Sequence, residues 1–335
     1  MDSRSDRITI REIAQWSGVS IATVSRVINN VPGVSDALRE RVQKVIDEHE
    51  YEPSQLARNL SVNASNSMAL FVYDIMNPFF SKLIQELNRI AFDHNYSLII
   101  CDSSNEPERE MRYLAFAKSI KAAGILLTEG ADNGLFESDA SMLPTVLIDR
   151  AAISGKQWPM ITSDNYGGAY HACEYLISLD HERIAFIGGP ECVRSADERR
   201  RGYLAAMEDH GLPVGDGDLT EGDFKAESGL HAIERLLSLP EPPTAVLCAN
   251  DLMAWGATMR VLSMGLRVPE DLSVIGFDGV DTCSLLHNLT TMRQRIDLIA
   301  QEAMKQMLRL ISSQETLDEI RIPTELVIGD TCRRL

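Results

Sequence analysis

The sequence predicts an all-α helix-turn-helix head and a hinge helix, joined to an α/β body of two Rossmann-like lobes. Three observations carry this. Two short capped helices are written into Thr9 to Asn29; a proline-started helical segment with a polar tail occupies 51–66; and from Ser67 onward short apolar runs alternate with helical stretches. The predicted head is 1–50, the hinge and linker 51–66, and the α/β body 67–335. Within the body the first lobe takes about 67–163 and 293–322, the second about 164–292 and 323–335.

The first helix starts near Ile10, because Thr9 and Glu12 have the S/T-x-x-E form of a capping box. Ile10, Ile13 and Ala14 share one face, and Gly18 stops the helix by accepting a left-handed backbone. Ser20 then caps a second helix running through Ile28. In a helix-turn-helix the first turn of that second helix meets base edges in the major groove of DNA, which makes Ile21, Ala22 and Arg26 the candidate readers. Arg26 suits guanine O6 and N7, and the small apolar pair suits thymine methyl groups. Thr9, Ser20, Thr23, Ser25 and Asn29 complete the DNA-facing set of the head. The alternative is an ordinary αα-hairpin inside a larger core. After a loop at Asn29 to Gly33, Ser35 caps a third helix with Leu38, Val42, Val45 and Ile46 inward.

Pro53 and Ser54 begin a short helical segment that places Ala57 and Leu60 on one stripe, followed by the polar run Ser61 to Asn66. Alone, a helix this short is marginal. Packing of Leu56 and Leu60 against the body is the competing reading.

In the body, MALFVY, SLIIC, AGILLT, TVLID, RIAFIGG, TAVLCA and LSVIGFD read as buried parallel strands. Pro78 to Asn95, Pro107 to Ile120, Gly167 to Leu179 and Ala254 to Met264 have helical spacing, and crossovers between lobes fall near Ser163-Asp164, Gln294 and Pro323. Open α/β sheets bind ligands at the carboxyl ends of their strands. Those ends carry Asn77, Phe79 and Phe80 after the first run, and Asp149 and Arg150 after TVLI. Further on come Arg199, Phe224, Asn250, Asp278 and Gln294. Vicinal hydroxyls donate and accept together, so carboxylates, amides and guanidinium groups satisfy them while aromatic faces cover C–H surfaces. Singly, each residue has another use: Asn77 as a helix cap, Phe79 and Phe80 as core, Asp149-Arg150 as a local ion pair, Asp278 in a turn with Gly279.

Formal net charge is −17, with eight basic and nine acidic residues up to Asn66, so almost all of the excess sits on the body. An acidic body is repelled by phosphates, leaving contact with DNA to the head. The six cysteines have no zinc spacing and read as buried reduced thiols. Neither an amino-terminal apolar segment nor a run of the ~18 apolar residues of a membrane span is present, which predicts a cytoplasmic protein that does not enter membranes. An enzyme reading would pair Asp149, Glu198, Asp278 and His171 as acid and base, but no nucleophile elbow, P-loop or H-E-x-x-H accompanies them. Gly188-Gly189-Pro190 lacks dinucleotide spacing, so no cofactor is expected. Arg194, Arg200 and Arg201 either face the cleft, where they would suit a phosphorylated ligand, or decorate a helix.

The run TIREIAQWSGVSIATVSRVIN resembles the amino-terminal domains of the LacI/GalR family of bacterial transcription regulators. Y-E-P-S-Q-L-A-R-N-L is similar to that family's hinge helix, which orders on DNA as a dimeric pair and wedges a leucine into the minor groove. The resemblance places that wedge at Leu60, beside Ala57, with Ser54 and Arg58 in the same DNA-facing segment. The body is similar to periplasmic binding proteins of type I, and its ten cleft residues match motifs that hold sugar in ribose-binding proteins. The resemblance therefore implies a homodimeric repressor of sugar-catabolism genes, bound to palindromic double-stranded operator DNA and released by a monosaccharide, ribose or a similar sugar, bound in the cleft between the lobes. A chain end without a leucine-heptad tail also points to a dimer. Control by a phosphosugar, a purine or a phosphoprotein partner is the alternative; a sugar-processing enzyme or a transport binding protein is the remote one.

Overall fold

Capping chemistry opens the head. In the computed structural model, which describes residues 8–28, 32–49, 51, 65–104, 106–128, 130, 143–150, 158–280, 288–314 and 319–335, helix α1 (Ile10–Ser17) starts at a complete capping box. Glu12 Oε2 accepts from the Thr9 backbone N–H at 2.7 Å, and Thr9 Oγ1 accepts from Glu12 N–H at 3.4 Å. Gly18 ends the helix at φ 65°. Ser20 Oγ accepts from Thr23 N–H at 3.1 Å and so caps α2 (Ile21–Ile28). Helix α3 (Asp36–Glu48) departs from expectation at its start, since Ser35 makes no side-chain cap bond. Ile13, Val24, Val27 and Val42 form the core, and Tyr51 joins it, donating its N–H to Ile46 O at 3.0 Å.

The chain divides into two units, Met1–Ser65 and Asn66–Leu335. Asn29, and Ser54, Ala57, Arg58 and Leu60 with the rest of 52–64, lie outside the described residues.

In the second unit, β1 (Ser67–Val72), β2 (Ser97–Asp102), β3 (Gly124–Leu127), β4 (Thr145–Ile148) and β5 (Met160–Ser163) are joined by β11 (Glu319–Ile322). Their order is β11-β5-β4-β3-β1-β2 and every pairing is parallel. The second sheet holds β6 (Ile184–Ile187), β7 (Leu219–Thr220), β8 (Ala245–Cys248), β9 (Ser273–Asp278), β10 (Thr290–Arg293) and β12 (Glu325–Val327), in the order β12-β10-β9-β8-β6-β7. Only β12 there runs antiparallel. Most strands are buried along their length, which is why they read as unbroken apolar runs.

Helices α4 (Pro78–Asp93), α5 (Pro107–Ser119) and α10 (Ile296–Ile311) pack on the first sheet; α6 (Asn165–Ser178), α7 (Arg194–Asp209), α8 (Ala226–Leu237) and α9 (Asp251–Ser263) pack on the second. The chain passes from the first sheet to the second after β5, returns after β10, and crosses again between β11 and β12. The strand-like stretch Glu319 to Ile328 is thus two strands in different sheets. Pro323 lies between them, where a residue without an N–H cannot extend a ladder.

Among the cysteines, Cys101, Cys173 and Cys248 are buried, and burial pushes the Cys101 and Cys173 thiols up to about 12. Cys192 departs from the expected burial and is exposed, while Cys283 lies outside the described residues. Among the described residues, no helix is long and apolar enough to cross a membrane.

Candidate functional site

The head presents one outward face. Burying Val24 and Val27 inward leaves Ile21, Ala22 and Arg26 on the solvent side of α2, and Ile21, a large apolar residue, is 46% exposed. Ser20 and Thr9 are exposed as well, but their side chains are already engaged in capping; Thr23 is half-buried and its hydroxyl lies 2.9 Å from that of Ser20. Ser25 is half-buried on the same helix.

In the body, nine of the ten candidate ligand residues line one small cavity. Asn77, Phe79, Phe80 and Asp149 come from the first lobe; Arg199, Phe224, Asn250 and Asp278 from the second; Gln294 from the return crossover. Asn77 does two jobs, accepting from Phe79 N–H at 3.0 Å to cap α4 while facing the cavity. Asn250 likewise caps α9 through Met253 N–H and donates to Phe224 O, both at 2.9 Å. Phe79 and Phe80 meet edge to face at 5.2 Å and belong to the first-lobe core as well as to the wall.

A closed ring of six residues, linked by side chains and by one backbone N–H, binds the two lobes around this cavity. Asp149 accepts from Asn165 Nδ2 at 3.1 Å, Asn165 Oδ1 accepts from Arg199 Nε at 2.9 Å, and Arg199 Nη1 lies 3.5 Å from Asp278. Gln294 Nε2 donates to Asp278 at 2.7 Å, Ser163 Oγ donates to Gln294 Oε1, and Ser163 N–H returns to Asp149 at 2.9 Å. Thr162 Oγ1 adds a third bond to Asp149 Oδ1 at 2.7 Å, so among the described residues every hydrogen bond to this carboxylate falls on one oxygen. Arg199 also stacks its guanidinium 3.9 Å from the Phe277 ring centroid.

Burial dominates the electrostatics. It raises the Asp149 carboxyl, opposed by its hydrogen bonds and Arg199, and it raises Asp278 to about 6 against the pull of Arg199 and Gln294. Asp149, Phe224 and Asp278 have φ of 51°, 65° and 119°, strained values for residues with a side chain. Strain of this kind concentrates at ligand clamps.

Arg150 is the departure. Its guanidinium turns away from the cavity and forms a two-pronged ion pair with Glu110, at 2.9 and 3.2 Å, both side chains being buried. A matched carboxylate holds a buried guanidinium more firmly than neutral hydroxyls would, so Arg150 is not among the cavity-lining residues. Arg200 and Arg201 lie at the exposed surface beside Asp197, and Arg194 pairs with Glu198 at 2.9 Å; none lines the cavity. His171, paired with Glu174, is exposed. Of the acid-base set considered from sequence, only Asp149 and Asp278 reach the cavity.

Several supporting residues escaped the sequence reading. Thr162, Ser163 and Asn165 orient Asp149 and Arg199, and the polar run T-S-D-N closing an apolar strand was the available signal. Asp251, with burial lifting its carboxyl well above the ordinary range, accepts from Thr291 Oγ1 at 2.6 Å and from Val280 N–H at 2.9 Å, and thereby holds the turn after Asp278. A Cβ at Gly189 would collide with the Phe224 ring.

The cavity measures about 10 Å³, room for one water at most. A larger one of about 690 Å³ lies beside Trp255, Thr258 and Arg293. Val280 and Asn288, which flank 281–287, both border it; Gln294 lines both cavities, while the buried Asp149, Asp278 and Arg199 line only the small one. Among the described residues, no group of three or more His, Cys, Asp or Glu could hold a metal ion.

Two family profiles match the chain. The one described as bacterial regulatory proteins, lacI family, covers residues 9–54; the one described as periplasmic binding proteins and sugar binding domain of LacI family covers 65–330. The HTH-type transcriptional repressor CytR of Escherichia coli (strain K12) is 35% identical over 331 residues, 98% of this chain and 97% of the relative. The HTH-type transcriptional repressor PurR of Serratia proteamaculans (strain 568) is 34% identical over 325 residues, 95% of each. Among solved structures, the lac repressor dimer bound to operator and the anti-inducer ONPF superposes with a TM-score of 0.87 at 26% identity, covering 98% of this chain and 100% of that one.

Proposed function

The chain belongs to the LacI family of DNA-binding transcriptional repressors rather than to any enzyme family, and from that premise we propose that it is a cytoplasmic homodimer released from a palindromic operator by a monosaccharide held between its lobes. Members of this family bind operator DNA and small-molecule effectors and act as dimers. The observation that carries the effector reading is the meeting of acceptor, donor and aromatic groups from both lobes on one cavity. Asp149 and Asp278 supply acceptors, Arg199, Asn77 and Gln294 supply donors, and Phe79 and Phe224 supply apolar faces, the set that a ring of vicinal hydroxyls requires. Repressors named CytR and PurR stand close to this chain, so ribose is one sugar among those to test rather than the assigned effector.

On the DNA side, the proposed readers are Ile21, Ala22 and Arg26, with Thr9, Ser20, Thr23, Ser25 and Asn29 around them. Leu60, with Ser54, Ala57 and Arg58, is the proposed minor-groove element. One experiment tests the whole: operator binding measured by anisotropy, with and without pentoses, hexoses, their phosphates and purines. A monosaccharide that loosens the complex supports the reading. Response to a purine alone would replace the sugar, and indifference to every compound would remove the cleft as the control input.

A further inference from the structure

The cavity's charge is set by a residue that does not touch it. At Asp149 the backbone is left-handed, and two neighbouring side chains part company: Asp149 lines the cavity, while Arg150 runs to Glu110 in the first turns of α5. Both partners are almost wholly buried, with side-chain exposures of 2% and 3%. The seat is shaped for them. A Cβ at Gly130 would stand 2.8 Å from Arg150 Nη1 and 3.3 Å from Glu110 Oε1, so a residue without one leaves the pair its space. Thr128 O accepts a further bond from Arg150 Nη1 at 3.4 Å.

Without Arg150, the described first-lobe lining holds one carboxylate and no cation. The second lobe offers Arg199, whose guanidinium is already shared among Asp278, Asn165 and Ala249 O. Two carboxyl groups and one engaged guanidinium offer acceptors to hydroxyl donors and leave, among the described lining residues, no unengaged cation to meet an anion.

Building on the effector reading above, we infer that Glu110 determines the charge class of the ligand: by holding Arg150 out of the cleft, it makes the site select uncharged polyols and reject their phosphate esters. Glu110 acts through Arg150 and is a specificity-determining residue without contact to the ligand. Discrimination here comes from withdrawing an attractive charge as much as from supplying hydrogen bonds.

The test uses the full chain, calorimetry and thermal melting, with D-ribose against D-ribose 5-phosphate, D-glucose against D-glucose 6-phosphate, and inorganic phosphate alone. Wild-type protein is expected to bind a neutral sugar at least tenfold more tightly than its ester, with no melting shift from inorganic phosphate. In Glu110→Gln the ester's disadvantage shrinks at least tenfold and inorganic phosphate raises the melting temperature. Should that variant not fold, Glu110→Leu combined with Arg150→Met removes both charges together, an exchange that buried pairs commonly tolerate. Neutral-sugar affinity then stays within about threefold of wild type, because neither side chain touches the ligand. A hundredfold loss in the double variant, preferential binding of an ester by wild type, or a folded Glu110→Gln blind to phosphate each overturns the inference. Failure looks different for the reading beneath it: wild-type protein answering to no sugar and no ester would sink the cleft assignment itself, and the inference with it.

Discussion

Burial lifts the Asp278 carboxyl to about 6, with Arg199 and Gln294 holding it from rising further and Asp149 adding repulsion. Its folded value lies above its unfolded one, so the stability this group contributes is full below about pH 4 and is lost as pH rises through 6. Relative to wild type, Asp278→Asn, which cannot titrate, is therefore expected to gain stability between pH 4.5 and 7. Urea midpoints at the two pH values check the sign, and a constant difference would mean that Asp278 ionises in the folded chain as it does in the unfolded one. Ligand binding should run the other way: if the carboxylate accepts ligand hydroxyls, affinity for a neutral sugar falls as pH drops from 7 to 5. On the DNA side, Arg26 stands exposed on α2, and Arg26→Ala is expected to cost about 1–3 kcal/mol at a matched operator. Equal loss on random DNA would reduce Arg26 to a phosphate contact. Arg150 shows what a sequence withholds at this scale. Its motif places it at a strand end, but its direction depends on Glu110, 40 residues away, and no local pattern reports such a partner.

Among elements, those fixed by local chemistry were the legible ones. The Thr9 capping box and the left-handed Gly18 are short-range signals, and both stand in the structure. Thr9→Ala should lower the stability of the head by about 1 kcal/mol, read as an earlier loss of helical circular dichroism; no change would mean that the rest of the head compensates. Strands such as β1 and β3 were legible because burial on both faces favours unbroken apolar runs, whereas β5, buried throughout but carrying Thr162 and Ser163, was not. Ser35, by contrast, has the right residue type for a cap without making the bond. Close helix packing was not legible at all. A Cβ at Gly256 on α9 would run into the backbone of Ala226 on α8, and one at Gly229 on α8 into the backbone of Met253 on α9. Neither glycine has a positive φ, so neither announces itself as a turn. Gly256→Ala is accordingly expected to destabilise the body by about 1–3 kcal/mol through overpacking, despite alanine's better helix propensity. A rise in the body's melting temperature would show that the two helices can separate at little cost.

At the scale of the whole molecule, the ring from Asp149 through Asn165, Arg199, Asp278, Gln294 and Ser163 pairs its members with one another around a cavity far too small for a sugar. On the proposed reading, a ligand at this site parts the lobes and offers hydroxyls that replace the broken bonds; a compound that cannot do so leaves buried donors and acceptors unpaired. Ser163 and Gln294 sit on two of the crossovers, so any rearrangement at the ligand is also a rearrangement of the segments that join the lobes. On the proposed reading, the binding state and the lobe geometry are for that reason one equilibrium. Linkage then fixes the form of the control: the factor by which a sugar changes operator affinity equals the factor by which operator changes sugar affinity, typically worth about 1–3 kcal/mol. The expected sign is release, as for a repressor lifted by its sugar. Titrating operator with and without saturating sugar, and sugar with and without operator, should give two equal factors, each weakening the other ligand. Tighter operator binding would make the sugar a corepressor, and unequal factors at equilibrium would show that the two titrations follow different species, such as a dimer that dissociates when DNA is absent.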